Sequence, residues 1–346
     1  MRSKKEVTIY DIAESLNLSS ATVSRGLKDH PAIRNETKKR ILEKAKELGY
    51  RHNQFASNLR RNRTNTIGVI VPRLNSYFMS SVIAGIEKVV NEAGYNLVIS
   101  QSLELETKET VNIKTMFNSR VDGLLVSLAY DSHDDSRFKL ILEKNIPLIF
   151  FDRVLENPLS TSVVIDNFAA AYAMTQHLID QGCKRIAHIT ANLQRNVYRD
   201  RLRGCQQALA DRGLAFDQQL LFVNNLDEAS CVQAVHAMLA MDPRPDAIFS
   251  SNDSSAVVCI RELKKAGIKI PDEIAVAGFN DEPISTVVEP NLTTVHYPGQ
   301  EMGEVCATIL IRKLSRPENV ELDRVVLRHQ LIIRDSSRRL KTSAIL

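Results

Sequence analysis

Several absences narrow the reading before any motif does. The five cysteines, Cys183, Cys205, Cys231, Cys259 and Cys306, are odd in number and scattered, with no C-x-x-C spacing. That pattern suits buried thiols in a reducing compartment better than disulfides or a zinc site. No apolar run reaches the roughly 18 residues that a membrane helix needs. The charged start MRSKKE lacks the apolar stretch of a secretion signal. A cytoplasmic protein with no membrane partner is expected. There is no Walker A loop, no G-x-G-x-x-G after a strand, no H-E-x-x-H and no G-x-S-x-G. The eight histidines are dispersed, and Cys183 and His188 read as core residues. No catalytic residue, metal ligand or cofactor is assigned, and the chain is not expected to be an enzyme.

What is present is unevenly distributed. The 346 residues, 44% of them hydrophobic, exceed one average domain and suffice for real cores. Residues 1–63 hold 15 Lys and Arg against 7 Asp and Glu, a surplus of 8, whereas the remainder holds 30 against 34. A small basic head on a mildly acidic body points to a polyanionic partner for the head.

Within that head, Val7–Leu27 (VTIYDIAESLNLSSATVSRGL) carries two short helical patterns broken at Asn17-Leu18-Ser19. Thr8 stands three residues before Asp11, in the manner of a capping box. Ile12, Ala13 and Leu16 make an apolar face, and Ser19 is placed to cap a second helix whose inward residues are Val23 and Leu27. The outward face of that second helix presents Ser20, Ala21, Ser24 and Arg25. Such a face suits the major groove: short groups near the groove floor, and a guanidinium able to reach guanine O6 and N7. An ordinary surface helical hairpin is the plainer alternative; position and charge favour DNA. Asn35–Leu48 predicts a third helix with Asn35 as cap, Ile41, Leu42, Ala45 and Leu48 inward, and Gly49 as its stop. In Arg51–Arg63, Asn53, Phe55, Ala56, Leu59 and Arg60 would make two helical turns, too few to stand without a partner. Paired with a second copy over a minor groove, Leu59 would wedge into a base step.

The run from Thr8 through Leu59 resembles the LacI/GalR family of bacterial transcription repressors. The resemblance rests on Thr22-Val23-Ser24-Arg25, on Gly49-Tyr50, on the N-x-x-A-x-x-L of Asn53, Ala56 and Leu59, and on the NTIGVIVP strand that follows. It extends to about Arg334. It implies that Ser20, Ala21 and Arg25 read bases, that Thr8, Ser19, Thr22, Ser24 and Tyr50 hold phosphates, and that Ala56 and Leu59 enter the minor groove, with Asn53 in the same DNA-binding segment. Gly26 and Lys28 depart from the family's usual larger apolar residue and Asn.

From Thr66 onward short β-branched runs alternate with amphipathic helices: TIGVIV, NLVIS, DGLLVS and PLIFF in one set, RIAHIT, LLFV, DAIFS and EIAVAGF in the next. Near-continuous apolar strands spaced by helices predict parallel sheets covered on both faces. The fold class is therefore a small all-α helix-turn-helix head on an α/β body of two Rossmann-like parallel-sheet lobes. The resemblance adds the periplasmic-binding-protein arrangement, with three crossovers between lobes. The expected domains are 1–50 for the head, 51–65 for the hinge and linker, 66–335 for the body, and 336–346 for a tail too short to be a coiled coil. Lobe 1 is expected at about 66–161 and 294–321, and lobe 2 at about 162–293 and 322–335.

Ligands of parallel sheets lie beyond the carboxyl ends of the strands. There the sequence places Asn75, Tyr77 and Phe78, then Asp152 and Arg153, Arg195 and Arg201, Asn252 and Asp253, and Asn280 and Asp281. Planar hydrogen-bonding groups beside aromatic faces suit hydroxylated rings. Each residue alone could be a strand-end cap or turn. The resemblance maps Asn75, Tyr77, Phe78, Arg153, Arg201, Asn252 and Asn280 onto effector-contact positions, with Asn280 where Asp is frequent. Arg195 joins the candidate effector residues, and with Arg201 it leaves a phosphorylated or carboxylated effector open. The function expected is a homodimeric, sequence-specific regulator, a repressor by resemblance. It would bind pseudo-palindromic double-stranded operator DNA under control of a small polar effector, a carbohydrate by preference. The rivals are a solute-binding protein without regulatory role and a sugar-modifying enzyme with a regulatory head.

Overall fold

The computed structural model describes residues 7–50, 63–131, 136–155, 161–316 and 324–339. The chain divides into two compact units at Thr64/Asn65.

The first unit holds α1 (Ile9–Leu16), α2 (Ser20–Leu27) and α3 (Asn35–Glu47). The capping box forms: Thr8 N–H and Oγ1 reach Asp11 Oδ2 at 2.6 and 2.7 Å. Asn17 ends α1 in the left-handed region at φ 54°, and Ser19 Oγ accepts the Thr22 N–H at 3.1 Å. Ile12, Val23 and Ile41 close the core without solvent exposure, each contributing about 1.5–3 kcal/mol by burial. Gly26 belongs to the same packing, because a Cβ there would collide with Ile41 Cδ1. Two expectations are corrected here. Arg34, not Asn35, is the cap of α3, and Leu42, expected inward, is 55% exposed.

The second unit opens with β1 (Thr66–Val71), α4 (Tyr77–Glu92), β2 (Asn96–Gln101), α5 (Glu106–Asn118) and β3 (Gly123–Val126). A 3₁₀ turn over Ser136–Phe138 and α6 (Lys139–Glu143) come next, followed by β4 (Leu148–Phe151) and β5 (Thr161–Ile165). The second set runs α7 (Asn167–Asp180), β6 (Ile186–Thr190), α8 (Asn196–Asp211), β7 (Leu221–Val223), α9 (Glu228–Leu239), β8 (Ala247–Ser250), α10 (Asp253–Lys265) and β9 (Ala275–Ala277). β10 (Thr294–His296), α11 (Gly299–Ser315), β11 (Arg324–Leu327) and β12 (Gln330–Ile332) complete it.

Six strands form one parallel sheet in the order β11-β5-β4-β3-β1-β2, and four form a second in the order β7-β6-β8-β9. The inner strands are buried because helices cover both faces, which is why they read as unbroken apolar runs, whereas the edge strands β2, β7 and β11 are partly exposed. The lobe boundary differs from the expected one. β5 and β11 both pair within the six-stranded sheet, Val163 opposite Val325, so residues 161–165 and 324–327 add strands to lobe 1 rather than lobe 2. The chain then passes between lobes after Ile165 and through the antiparallel β10–β12 ribbon. The segment after 335 is no free tail through Arg339. Ser336 Oγ donates to Val276 O at 2.6 Å, and Arg339 caps the carbonyls of Pro271 and Asp246 at 2.9 and 2.8 Å. In lobe 1, α4 and α11 approach to backbone contact across Gly85 and Gly303, where a Cβ would strike Gln300 O and Val82 O. The Gly299–Gly303 spacing thus serves packing.

Candidate functional site

The head presents one polar surface. Ser19, Ala21 and Arg25 are exposed and Ser20, Thr22 and Ser24 half-buried, while Val23 and Gly26 turn inward. Thr8 is exposed at the start of α1, and Tyr50 packs part of its ring against the head core, where burial raises its hydroxyl pKa. Ser19 Oγ and Thr22 Oγ1 lie 2.8 Å apart. The surface therefore combines orphan N–H groups at a helix start, hydroxyls and one guanidinium. Asn53, Ala56 and Leu59 lie outside the described residues.

In the body, a cavity of 390 Å³ opens at the carboxyl ends of both sheets. Its lobe 1 wall carries Asn75, Tyr77 and Phe78 from the start of α4, and Asp152 and Arg153 after β4. Lobe 2 contributes Arg201 on α8, Asn252 before α10, and Asn280 after β9. Seven of the eight expected effector residues therefore line one cavity. Arg195 does not. As the N-cap of α8 it is buried, near the charge of Arg153 and then those of Glu109, Arg137 and Glu106. Arg201 lines the cavity and Arg195 does not, so the two form no anion clamp there.

Of the cavity's three cations, Arg73 is exposed, 3.5 Å from Glu104, while Arg153 and Arg201 are held by the protein itself. Arg153 Nη1 donates to Glu104 Oε2 at 2.7 Å and to Leu128 O at 3.4 Å, and Nη2 donates to Tyr198 OH at 3.0 Å. Its guanidinium lies 4.3 Å over the Tyr130 ring. Arg201 Nε donates to Asn167 Oδ1 and Nη1 to Ser251 O, both at 2.8 Å. Asp152 sits in the left-handed region at φ 57° and accepts from Tyr297 OH at 2.8 Å and Ser127 Oγ at 3.3 Å. Burial pushes its pKa up, against the pull of Arg153 and Arg201. Asn252 is both a strand-end cap and a wall residue: its Oδ1 accepts the Ser255 N–H at 2.7 Å.

Tyr130, Tyr198, Glu104, Glu282 and Tyr297 also face the cavity and were not among the expected residues. One signal existed, since Tyr198 precedes Arg201 by three residues on one helix and so shares its face. Tyr297 had none, because it reaches the cavity from the crossover ribbon.

Two family profiles match the chain: bacterial regulatory proteins of the lacI family over residues 8–53, and the periplasmic binding protein-like domain over 175–337. The regulator RegA of Clostridium saccharobutylicum is 32% identical over 332 residues, covering 95% of this chain and 99% of that protein. The chain belongs to the LacI family. Catabolite control protein A of Priestia megaterium is 30% identical, with 96% of this chain and 99% of the relative covered. Among solved structures, a CelR–cellobiose complex is 26% identical with a TM-score of 0.73, covering 96% and 100% of the two chains. The lac repressor dimer bound to operator and an anti-inducer reaches a TM-score of 0.85 at 24% identity, covering 96% and 99%, a likeness of fold. This LacI-family chain is a DNA-binding transcription regulator with a ligand-binding body, and not an enzyme. No described helix is long and apolar enough to cross a membrane.

Proposed function

We propose that this LacI-family regulator is a cytoplasmic homodimer that represses transcription from a pseudo-palindromic operator and senses a neutral carbohydrate in the cleft between its lobes. Ser20, Ala21 and Arg25 read bases, Thr8, Ser19, Thr22, Ser24 and Tyr50 hold phosphates, and Asn53, Ala56 and Leu59 form the hinge contact with the minor groove. Asn75, Tyr77, Phe78, Arg153, Arg201, Asn252 and Asn280 bind the effector.

The observation that carries the effector's class is the balance of charge in the cavity wall. Three cations, Arg73, Arg153 and Arg201, face three carboxyl groups, Glu104, Asp152 and Glu282, with Arg153 bonded to Glu104 and Tyr198 and Arg201 to Asn167 and Ser251 O, so no surplus of positive charge selects a phosphate or carboxylate. Amides of Asn75, Asn252 and Asn280 beside the Tyr77 and Phe78 rings suit hydroxyls and C–H faces instead. Cellobiose in the CelR complex is in keeping with that class. Exposed apolar groups on the body, Val98 and Ile99 on the edge strand β2 of one lobe and Val287 of the other at 75% exposure, are groups that a second copy would cover. Effector binding shifts the lobes, and through them the hinges, so DNA and effector affinities are coupled.

Thermal-shift screening of the full chain against neutral sugars and their phosphates tests the effector class. Stabilisation by a neutral saccharide, and less by its phosphate, is expected; preferential stabilisation by phosphates would reverse the assignment.

A further inference from the structure

Behind the lobe 2 wall of the cleft lies a carboxyl group that joins three segments of chain. Asp253, the first residue of α10, is fully buried. Its Oδ2 accepts the Glu282 N–H at 2.7 Å and its Oδ1 accepts the Thr294 hydroxyl at 2.6 Å. The first partner belongs to the turn that presents Asn280 and Glu282 to the cavity. The second belongs to β10, the strand by which the chain crosses back to lobe 1. A Cβ on Gly278 would collide with Asp253 Oδ1, so β9 also closes over the group.

The turn itself is bent. Asn280 and Asp281 hold φ of 113° and 56°, a conformation that side chains rarely adopt and that persists only where surroundings impose it. The surroundings here are the crossover segments. Asn280 N–H donates to Val295 O at 3.0 Å, and Asp281 N–H donates to Thr294 Oγ1 at 3.2 Å. Asp281 carboxylate oxygens meet Arg334 Nη2 at 2.7 Å and His296 Nδ1 at 3.2 Å. Glu282 is turned toward Ser254 and Asn280 by bonds of 2.9 and 3.2 Å. Arg334 and His296 thus both pair with Asp281, and among the described residues Asp253 has no salt bridge.

We propose that Asp253 is a positioning residue of the effector cleft: its carboxyl group holds the turn bearing Asn280 and Glu282 against the crossover strand at Thr294, so opening of this wall and release of the strand are one event, linked to the proton on that carboxyl. The proposal rests on the cleft being the effector site, but its test needs no effector. Burial, with Glu282 and Asp281 as neighbours, raises the pKa of Asp253 to about 7. The sign follows by linkage. A group that binds its proton more tightly when enclosed favours the closed wall at low pH, and the wall opens more readily as pH rises through neutrality. When protonated, the group still has two bonds, donating to Thr294 Oγ1 and accepting from Glu282 N–H, and Asn in its place reproduces that neutral state.

Hydrogen exchange on the full-length protein at pH 6 and pH 8, corrected for intrinsic amide chemistry, reads this directly. Peptides covering 280–296 should open about tenfold more often at pH 8, since solvent exposure returns the carboxyl to its ordinary pKa, with the turn and β10 moving together. Asp253→Asn should remove the pH step from both. Thr294→Val should shrink the step, because it removes the hydroxyl that Asp253 holds, while the Asn280 N–H to Val295 O bond still ties strand to turn. A wild-type wall with equal corrected exchange at both pH values overturns the proposal. So does a step that survives in Asp253→Asn, which would place the titration on another group. A step of full size in Thr294→Val would also refute the tie. Loss of saccharide binding in other variants leaves all these outcomes readable.

Discussion

The guanidinium carbon of Arg201 lies 3.6 Å from the centroid of the Phe279 ring. The ring lies just past β9 and the cation on α8, so two segments of lobe 2 meet where Arg201 lines the cavity. Asn167 Oδ1 and Ser251 O fix the guanidinium from its edges at 2.8 Å. An Arg held by stacking and by directed bonds is not replaceable by Lys, whose point charge offers neither plane nor fork. Arg201→Ala is expected to weaken saccharide binding by about 2–5 kcal/mol, and Arg201→Lys to recover little of it. Calorimetric titration checks this; an unchanged Kd removes Arg201 from the site. DNA affinity without effector should stay near wild type.

Arg25 is exposed at the end of the α2 face that carries Ala21. Arg25→Ala should lower affinity for the preferred duplex by about 1–3 kcal/mol and relax selection at one base pair. Competition with single-base variants of that duplex checks it. An equal loss on random DNA would make Arg25 a phosphate contact instead.

Leu59 is assigned by sequence pattern alone. If it wedges a base step, Leu59→Ala reduces the DNA bend with little change in saccharide affinity. Circularly permuted duplexes in a gel-shift series report the bend, and an unaltered bend refutes the wedge.

Arg339 donates to carbonyls of Pro271, Asp246 and Glu273 at 2.9, 2.8 and 3.4 Å. Arg339→Ala leaves these acceptors to water or unpaired and should destabilise lobe 2 by about 1–3 kcal/mol. Denaturant unfolding measures it; an unchanged midpoint would show the segment to be ornamental to stability.

His188 is fully buried in β6, its Nδ1 3.1 Å from Phe249 O. Burial holds its pKa down, to about 4, below the usual value of about 6.5. The unfolded chain therefore binds the extra proton first, and stability is lost as pH falls from about 6.5 towards 4, by about 3 kcal/mol at the lower end. Proton NMR should show no titration of the His188 ring above pH 5 in the folded protein. A ring titrating near 6.5 would contradict the burial.

Much of this architecture is written locally. The capping box at Thr8 and Asp11, the Ser19 cap and the apolar strand runs depend on neighbours in sequence, and each stands where periodicity placed it. Strand-end position likewise gathered Asn75, Tyr77, Phe78, Arg153, Arg201, Asn252 and Asn280 around one cavity. Arg195 failed because a strand-end rule says nothing of which way a helix cap turns. Leu42 failed because one residue beside Ile41 shifts the helical face by 100°. β5 and β11 were placed in the wrong lobe because partner choice in a sheet is a non-local decision, invisible in an apolar run. Tyr297 and Asp253 act through the crossover, whose contacts join residues far apart in the chain, such as Tyr297 with Asp152 and Asp253 with Thr294.

The most direct measurement is fluorescence anisotropy of the full chain on a duplex that it enriches from a random pool, against a scrambled competitor, with and without neutral saccharides. The account predicts a preference of at least about a thousandfold for the enriched duplex, and a shift of that affinity by about 5- to 150-fold with one saccharide. Equal affinity for scrambled DNA, or a preference that no saccharide moves, would contradict it.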